Sequence, residues 1–461
     1  MKPPLHIEPW LDARSPAEYF AALALLPGAL WLDSAARGGA SRWSIMTACP
    51  RRTFRCRGDS WEISGTRASG GEAGAWGALC QFVRDEMAVA GAPEDCTLPF
   101  AGGVAGYLGY DLGRLLERFR GRHCPAAGEP PDATLAAYDR ALLWDHREGR
   151  AWRVNGGLDL KPLSAAVAEP ELRAPPVTAE LLAEAGLEAL SSKQGYLEAV
   201  ERTRAWIESG DVYQINLAQR FRQRQPEPAA ALYPRLRHTN PGPFSAFFDF
   251  GGGHLLSTSP ERFWEFEGGR VHASPIKGTR PRGTTPAEDT ARRAELAASD
   301  KEQAELRMIV DLLRNDLGRV CRPGSIRVAE EGRLETFASV HHRVADIVGE
   351  LAPGHDVLDL LAASLPGGSI TGAPKIRAME IIDALEPFRR GPFCGSIGYF
   401  SRSGRADFNI AIRTVVHRGT ELTFDVGSGI VWDSEPEAEY AETLAKAGGI
   451  VAALQRRGVP A

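Results

Sequence analysis

Lysine is scarce in this chain of 461 residues, which carries 54 lysines and arginines together. Only seven of these are lysines, at positions 2, 161, 193, 277, 301, 375 and 446. Arginine supplies charge and bidentate anion binding, but it does not lose its proton and therefore cannot act as a nucleophile. A lysine in such a chain is a candidate for amine chemistry. Lys277 is the first candidate, because it lies in a turn-like run rich in Pro, Gly and Thr, although most isolated loop lysines are only solvated charges.

Other absences exclude whole classes of protein. The net charge is −5, so no basic surface for nucleic acid or an anionic membrane is predicted. The longest apolar stretch, residues 19–32, is interrupted by Pro27 and Gly28 and is too short to span a bilayer. The first residues lack the pattern of a signal peptide. The seven cysteines form no Cys-x-x-Cys pair, so neither a zinc site nor a disulfide framework is predicted, and we expect a cytoplasmic protein.

A connector rich in Ala, Pro and Leu, residues 156–178, divides the sequence. Before it, short strand-like runs alternate with Gly-rich turns, and after it, long helical patterns alternate with strands. The sequence therefore predicts an N-terminal region of residues 1–165 and a catalytic region of residues 185–458. Hydrophobic periodicity and capping residues predict the main elements of the second region: helices over 193–209 and 299–319, and strands over 212–221, 255–264, 270–276 and 423–431.

Two Glu-x-x-Glu pairs are candidate metal ligands. Glu302 and Glu305 fall within and beside the apolar stripe of the helix predicted over 299–319, where a carboxylate is costly unless a cation compensates. Acidic residues in a first helical turn also suit the helix dipole, so both interpretations stay open. Glu439 and Glu442 are placed opposite an apolar stripe, where a solvated face is the simpler interpretation. The four carboxylates are compatible with an oxygen-ligand Mg²⁺ site, although spacing alone is a weak signal.

Several polar features of the second region admit two interpretations each. The Gly-rich run 365–375 lacks the Lys-Ser/Thr pair of a nucleotide-binding loop, but its backbone N–H groups suit a carboxylate. Arg413, in an apolar strand, is either an inward anion clamp or an outward edge charge. Gly427 and Gly429 either let a ligand approach the backbone or form a flexible turn. His342 is a candidate hydrogen-bond donor or a structural histidine. The sequence has no Gly-x-Cys-x-Gly or Gly-x-Ser-x-Gly turn, so no amide or ester hydrolysis is predicted.

Taken in order, these motifs resemble the chorismate-utilising enzyme family. The match covers nearly all of residues 190–455 through seven runs: 210–217, 259–263, 275–279, 311–317, 366–375, 394–399 and 427–442. The run Trp31-Leu32-Asp33-Ser34 resembles, more loosely, a tryptophan-binding segment of the family, so tryptophan is a candidate ligand of the N-terminal region. The resemblance implies an α/β (α+β) fold in which two large antiparallel β-sheets pack as a sandwich with helices on the outside.

Two positions distinguish subfamilies. Members that add water to chorismate usually carry a lysine base where this chain has Gln214, and anthranilate synthases usually carry alanine where it has Lys277. Gln214 together with Lys277, and the run 240–247, resemble component I of the aminodeoxychorismate synthases. Phe393 departs from several relatives, which have tyrosine there. Two alternatives stay open: component I of an anthranilate synthase, and a tryptophan-binding regulatory protein without activity, which the intact candidate catalytic residues argue against.

The resemblance also implies roles for individual residues. Lys277 is the nucleophile that attacks C2 of chorismate, and Glu261 is the general acid for the hydroxyl that leaves C4. Mg²⁺ is held through Glu305 and Glu442, with Glu302 and Glu439 close by. Substrate contacts are implied for a further set: Gln214, Thr279, His342, Thr371, Arg413, Gly427, Ser428, Gly429 and Lys446. The substrates are chorismate and ammonia, and a separate glutamine amidotransferase subunit, component II, is implied as the source of ammonia.

Overall fold

Strands from both halves of the sequence pair with one another in two large antiparallel sheets. The structure, a computed structural model, describes residues 5–11, 13–36, 41–64, 66–69, 74–89, 91–93, 96–117, 119, 121–126, 128–162, 177–337 and 340–455. The strands in chain order are β1 (Ile7–Pro9), β2 (Leu30–Asp33), β3 (Trp43–Thr47), β4 (Arg52–Arg57), β5 (Ser60–Ile63), β6 (Thr66–Ser69), β7 (Gly103–Leu108), β8 (Ala133–Tyr138), β9 (Ala141–Asp145), β10 (Arg150–Val154), β11 (Leu187–Ala189), β12 (Gln214–Arg224), β13 (Phe244–Asp249), β14 (His254–Ser259), β15 (Arg262–Glu267), β16 (Arg270–Ser274), β17 (Ile276–Pro281), β18 (Arg327–Thr336), β19 (Val340–Glu350), β20 (Gly372–Ala373), β21 (Ser396–Ser401), β22 (Ala406–Asn409), β23 (Thr414–Arg418) and β24 (Glu421–Ile430).

The two sheets differ in the order of their strands. The first sheet runs β1-β10-β9-β3-β2-β13-β14-β23-β24-β12-β11, and β20 also pairs with β12. The second sheet runs β17-β19-β16-β15-β22-β21-β7-β8-β4-β5-β6, and β18 also pairs with β19. Each sheet therefore combines strands from both sides of the connector. The division into residues 1–165 and 185–458 stays a prediction, and residues 163–176 of the connector lie outside the described residues.

Helices cover the outer faces of both sheets. In chain order they are α1 (Pro16–Leu23), α2 (Gly74–Met87), α3 (Gly113–Leu116), α4 (Ala179–Glu184), α5 (Lys193–Glu208), α6 (Ala229–Thr239), α7 (Pro286–Ala298), α8 (Asp300–Gly318), α9 (Val357–Ser364), α10 (Lys375–Leu385) and α11 (Pro436–Gln455). A core between the sheets includes Tyr107, whose ring lies 6.3 Å from that of Phe248 across the sandwich. The predicted sandwich of antiparallel sheets with outer helices is confirmed. Among the described helices, none is long and apolar enough to cross a membrane.

Helix α8 follows the predicted pattern closely. Its N-cap is Ser299, whose hydroxyl accepts from the backbone N–H of Glu302, so the capping residue predicted from the sequence fixes the start of the helix. Its buried stripe contains the predicted residues, Leu306, Ile309, Leu313 and Leu317, and also Val310 and Asp316. The predicted helix 193–209 and the strands 212–221 and 423–431 are also present, as α5, β12 and β24.

The predicted strand 255–264 is wrong in one respect that matters for function. It is two strands, β14 and β15, which belong to different sheets and are joined by Pro260 and Glu261. Strand-forming residues flank the junction closely on both sides, and only Pro260 and Glu261 separate the two strands, so the sequence does not show the change of sheet. The prediction for α11 is also wrong in its orientation, because Glu439 lies on the buried side and Ala441 is exposed.

Candidate functional site

Glu261 lies in the two-residue link where the chain passes from the first sheet to the second. The Ser259 hydroxyl donates to the Ile410 carbonyl (2.6 Å) and accepts from the Glu261 N–H (3.2 Å), which fixes the backbone of the link. The Glu261 residue is only 5% exposed. Burial raises the pKa of its carboxyl, while Ser369 and Lys277 partly oppose that rise. A carboxyl that keeps its proton more readily than usual suits a general acid.

Lys277 lies on β17 and its Nζ donates to the Ser369 carbonyl at 3.2 Å. Burial lowers the pKa of Lys277, and the charge of Lys446 lowers it further. Three carboxylates oppose this decrease: those of Glu261, Glu305 and Glu442. The net direction is downward, so the amine is deprotonated more easily than a solvated lysine. The structure therefore brings Lys277 and Glu261 together, with the metal-ligand candidates Glu305 and Glu442 near enough to act on the amine.

Ser369 contacts both of these residues, although its sequence pattern does not single it out. It lies in the 3₁₀ turn Gly368–Ile370, and its hydroxyl donates to Glu261 Oε1 at 2.8 Å. The sequence offers one clue to Ser369: it is a hydroxyl residue within the Gly-rich run 365–375, which is already a candidate for anion binding. In the same run, the Thr371 hydroxyl donates to the Gly367 carbonyl at 2.7 Å and so holds the loop. The substrate contact of Thr371 stays a prediction.

Lys375, at the end of the Gly-rich run, has a structural role. Its Nζ donates to Asp316 Oδ2 at 2.7 Å and to the Ser364 carbonyl at 3.2 Å. Both partners of the ion pair are buried, and the pair ties the start of α10 to α8. Burial raises the pKa of Asp316 to about 6, although the charge of Lys375 acts to lower it. The pair thus anchors the C-terminal end of the loop that carries Ser369.

Lys375→Met should destabilise the fold, because it leaves the Asp316 carboxylate buried without its cation. Breaking a buried pair from one side costs about 3–5 kcal/mol, measured as the free energy of unfolding in denaturant. The loss should be smaller at about pH 5 than at about pH 7. Below a pKa of about 6 the Asp316 carboxyl is largely protonated, so less charge is left unpaired. Lys193→Met, which removes an exposed pair with Glu437, is the control and should leave the free energy of unfolding nearly unchanged. Equal losses in the two variants would contradict this assignment.

The first Glu-x-x-Glu pair lies beside β17. Glu302 Oε1 accepts from Arg280 Nη1 at 2.6 Å, whereas its Oε2 is buried and has no hydrogen-bond partner. A side chain at Gly278, where φ is +85°, would collide with this same oxygen, so only glycine fits there. Burial raises the pKa of Glu305 despite the opposing charges of Lys277 and Lys301. Nothing in the sequence marks Arg280 as a partner of this pair.

The second Glu-x-x-Glu pair lies on α11. Glu439 is buried and accepts hydrogen bonds from the Ser428 hydroxyl and, at 2.6 Å, from the Ser434 hydroxyl. Glu442 forms an ion pair with Lys446 at 2.7 Å. Burial acts to raise the pKa of Glu442, but Lys446, Lys277 and Lys301 together outweigh it and the pKa is lowered. Ser428 and Lys446, both predicted to contact substrate, therefore contact these carboxylates.

The carboxylates fit a hard divalent cation by two observations. One oxygen of Glu302 is buried and unpartnered, and the charges of Glu442 and Glu302 both raise the pKa of Glu305, so a positive charge there would relieve the repulsion between like charges. All the available donors are carboxylate oxygens, which Mg²⁺ prefers. Within the described residues, no three His, Cys, Asp or Glu side chains form a ready-made metal cluster.

Arg413 directly precedes β23 and has φ of +49°, an unusual backbone conformation for a residue other than glycine. Its guanidinium donates to Asn240 Oδ1 at 3.1 Å, and burial lowers its pKa. No carboxylate of the described residues forms an ion pair with it. The guanidinium is thus desolvated, which favours an inward orientation, and its role as an anion clamp stays a prediction. A desolvated cation without a counter-ion is an attractive place for an anionic group of a ligand.

His342 and Thr279 lie next to Arg413. The Thr279 hydroxyl and His342 Nδ1 are 2.8 Å apart. Burial lowers the pKa of His342 to about 3, and the charge of Arg413 contributes to the decrease. His342 is therefore neutral at physiological pH and can serve as a hydrogen-bond donor or acceptor, but not as a cation. Asn240, which the sequence does not mark as a site residue, begins the run 240–247 that helps to distinguish the subfamily.

Gly427, Ser428 and Gly429 lie in the strand β24, so the interpretation as a flexible turn is wrong. They pair with β12 on one side. On the other side, β23 pairs only with Glu421–Phe424, so in the described part of the chain this edge has no paired strand beside these three residues. An added side chain at Gly429 would come within 2.5 Å of the Gln214 amide nitrogen. The absence of a side chain therefore makes room for Gln214, whose Oε1 is buried without a partner.

Lys446 lies on the same side as these groups. Its Nζ donates to the Gly427 carbonyl at 2.9 Å as well as to Glu442, and its side chain is half-exposed. The candidate site is thus a set of charged and polar groups in which three lack a partner: the Arg413 guanidinium has no counter-ion, and Glu302 Oε2 and Gln214 Oε1 have no hydrogen-bond donor among the described residues. Between them, Lys277 and Glu261 supply an amine and an acid. Such a set suits an anionic substrate.

A cavity of about 420 Å³ lies apart from these groups, between the N-terminal strands and the second sheet. Its lining includes Asp33 and Ser34 of the candidate tryptophan segment, and Phe244, Ser245 and Asn409 from the catalytic region. Trp31 itself is buried and packs against other rings, 5.3 Å from that of Phe20. This volume lies in the usual range for a small-molecule pocket.

Comparison with known proteins gives a consistent result. Residues 30–452 match the family of chorismate binding enzymes. The chain is 40% identical over 442 residues to aminodeoxychorismate synthase component 1 of Klebsiella aerogenes, which covers 95% of this chain and 96% of the relative. It is 42% identical over 377 residues to anthranilate synthase component 1 of Cereibacter sphaeroides, and this match covers 78% of the chain and 75% of the relative. The crystal structure of anthranilate synthase component I from Streptococcus pneumoniae TIGR4 has a TM-score of 0.72 and 28% identity, over 90% of this chain and 93% of that one.

Proposed function

The chain belongs to the family of chorismate binding enzymes, and within that family we propose that it is component I of an aminodeoxychorismate synthase. Its reaction would replace the C4 hydroxyl of chorismate by an amine and give 4-amino-4-deoxychorismate, a precursor of p-aminobenzoate and folate. The observation that carries the proposal is Lys277, a half-buried residue whose amine has a lowered pKa and lies near the buried acid Glu261. Relatives with this name and relatives named anthranilate synthase are about equally similar to the chain, so the comparisons alone do not choose.

Lys277 favours amination at C4 over formation of anthranilate. Anthranilate synthases usually carry alanine at this position, and an alanine leaves C2 open to direct attack by ammonia. In this chain, the Lys277 amine occupies that role. Its proton is lost more easily because the residue is buried, and the Ser369 carbonyl accepts one of its N–H groups. The lone pair of the neutral amine is then available for attack on the substrate.

The chemistry of the proposed reaction balances in two displacements. In the first, a bond forms between Lys277 Nζ and C2, the two ring double bonds shift, and the C4–O bond breaks. Glu261 gives its proton to the departing hydroxyl, which leaves as water. In the second, ammonia attacks C4, the double bonds shift back, and the bond from C2 to the lysine nitrogen breaks. The same carboxylate of Glu261 is placed to take up a proton from the incoming ammonia.

Carboxylate groups of the substrate need cationic partners in this site. Arg413 would hold one of them, because its guanidinium is desolvated and has no counter-ion among the described residues. The open edge at residues 427–429 would supply backbone donors nearby. Mg²⁺ would be held by Glu305 and Glu442, with Glu302 and Glu439 behind them, and when bound it would neutralise the C1 carboxylate and withdraw electron density from the ring.

The ammonia would come from a glutamine amidotransferase subunit, component II. The chain has no nucleophile turn for glutamine hydrolysis, and its relatives are named as component 1, which implies a second component. The same composition and cysteine usage that led us to expect a cytoplasmic protein support a cytoplasmic assembly. Tryptophan would occupy the cavity lined by Asp33 and Ser34, which belong to the segment that resembles a tryptophan-binding run.

The proposed activity predicts a specific use of nitrogen donors. The purified chain with Mg²⁺ should convert chorismate and ammonium into 4-amino-4-deoxychorismate, identified by mass spectrometry. The rate should increase with pH because NH₃, not NH₄⁺, is the nucleophile. Glutamine should support the reaction only when a glutaminase subunit is added. Anthranilate as the main product would contradict the assignment, and glutamine-dependent product from the chain alone would reveal an unrecognised hydrolytic site.

A further inference from the structure

The 3₁₀ turn Gly368–Ile370 presents two groups of one residue, Ser369, to the two residues assigned to the chemistry. The backbone carbonyl of Ser369 accepts from Lys277 Nζ at 3.2 Å. The hydroxyl of the same residue donates to Glu261 Oε1 at 2.8 Å. Ser369 is half-buried and forms a hydrogen bond with both the candidate acid and the candidate nucleophile. Among the described residues, no other hydroxyl residue bonds to both.

We propose that Ser369 is a positioning residue that determines which oxygen of Glu261 carries the transferable proton. The proposal rests on the proposed function, in which Glu261 is the general acid. A protonated carboxyl has one oxygen that bears hydrogen and one that only accepts. Because the Ser369 hydroxyl donates to Oε1, that oxygen is held as the acceptor, and the acidic proton lies on Oε2. Ser369 thus aims the proton without touching the substrate.

The loop does not need the Ser369 hydroxyl for its own structure. Thr371 closes the turn through its N–H to the Gly368 carbonyl (3.3 Å) and its hydroxyl to the Gly367 carbonyl (2.7 Å). The Ile370 carbonyl accepts from Arg390 Nη1 and from Asn216 Nδ2, each at 3.0 Å. The hydroxyl of Ser369 has one partner among the described residues, Glu261. Ser369→Ala therefore removes the contact with the acid while the backbone contact with Lys277 remains.

Other groups that face Glu261 set the background for this effect. Burial raises the pKa of the carboxyl, and the Ser369 hydrogen bond is the largest influence against it. The charges of Lys277, on β17, and Lys446, on α11, act in the same direction as Ser369, as does the Ile276 N–H. The buried thiol of Cys394 also faces the carboxyl. Removal of the Ser369 hydroxyl should therefore raise the pKa of Glu261 further, which a purely structural loss would not do.

The test compares Ser369→Ala and Ser369→Thr in steady-state turnover of chorismate with ammonium. Ser369→Ala should lower kcat by about 10- to 100-fold, the effect of one hydrogen bond to an ionisable group, with a smaller change in KM. A general acid works only when protonated, so the decrease of kcat at high pH should move to higher pH in this variant. Ser369→Thr, which keeps a hydroxyl, should restore most of the rate.

Ser364→Ala is the matched control, because this buried hydroxyl donates to the Leu360 carbonyl and accepts from Trp264 Nε1 but does not contact the site. It should leave the pH profile of kcat in place. Two results would overturn the proposal. In the first, Ser369→Ala turns over at the wild-type rate and its pH profile of kcat does not move. In the second, Ser369→Ala loses rate but its pH profile of kcat stays in place, as in Ser364→Ala.

Infrared titration of the Glu261 carboxyl, referenced to Glu261→Gln, measures the same shift without turnover. A wild-type protein that makes no 4-amino product refutes the proposed function. A Glu261 titration that is unchanged by Ser369→Ala refutes the role of Ser369, whatever the product of the enzyme.

Discussion

Lys277→Arg should abolish the amination of chorismate, with a loss of roughly 10³-fold or more in kcat, which is typical of removing a nucleophile. Arginine keeps the positive charge among Glu261, Glu305 and Glu442, so electrostatics alone would be preserved. It cannot become a neutral amine, however, and so the covalent route is closed. Steady-state turnover with ammonium and Mg²⁺ measures the loss directly.

Two further variants separate the nucleophile from a general charge effect. Lys277→Ala should retain Mg²⁺-dependent binding of chorismate and open C2 to direct attack by ammonia, giving some anthranilate-type product. Lys193→Arg changes an exposed lysine that pairs with Glu437 and should turn over at the wild-type rate. Turnover by Lys277→Arg at the wild-type rate would show that Lys277 is only a buried charge.

Glu305→Gln and Glu442→Gln should each abolish turnover without unfolding the protein. If both carboxylates hold Mg²⁺, a neutral amide oxygen is a much poorer ligand, and we expect turnover and Mg²⁺ affinity to decrease by at least about 100-fold. Stability should be retained, because Glu442 is half-exposed and because burial already raises the pKa of Glu305, which makes its charge unfavourable in the metal-free fold. Calorimetric titration with Mg²⁺ and thermal unfolding measure the two effects separately.

Glu437→Gln is the control for these two variants, because Glu437 lies on α11 with Glu442 but pairs with the exposed Lys193. It should bind Mg²⁺ and turn over as the wild type does. Wild-type Mg²⁺ binding in both Glu305→Gln and Glu442→Gln, with turnover that resists EDTA, would remove the metal assignment.

The parts of the fold that depend on local sequence could be predicted. Helix α8 begins at its capping serine and buries the predicted stripe, because capping and periodicity are properties of neighbouring residues. The junction at Glu261 could not be predicted in the same way. Only two residues separate the flanking strands, and the change of sheet depends on distant strands, β23 on one side and β22 on the other.

The same distinction explains the candidate site. The scarcity of lysine and the surrounding Pro/Gly/Thr-rich run make Lys277 a candidate, and the apolar stripe of the helix makes Glu302 and Glu305 candidates without deciding their role. The orientation of Glu439 was predicted wrongly, because two serine hydroxyls from outside the pattern of α11 satisfy a carboxylate that periodicity alone would place in solvent. Ser369 was missed for a related reason: its importance comes from the residues that it meets across the fold.

Intact-protein mass spectrometry after incubation with chorismate and Mg²⁺, but without ammonium, tests the central claim most directly. Attack of the Lys277 amine at C2 with loss of the C4 hydroxyl as water should leave the protein heavier by one chorismate less one water. The account predicts this adduct on the wild type, located at Lys277 by peptide mapping and absent from Lys277→Arg. A wild-type protein that forms no adduct under these conditions, while still converting chorismate and ammonium to product, would contradict a nucleophilic lysine.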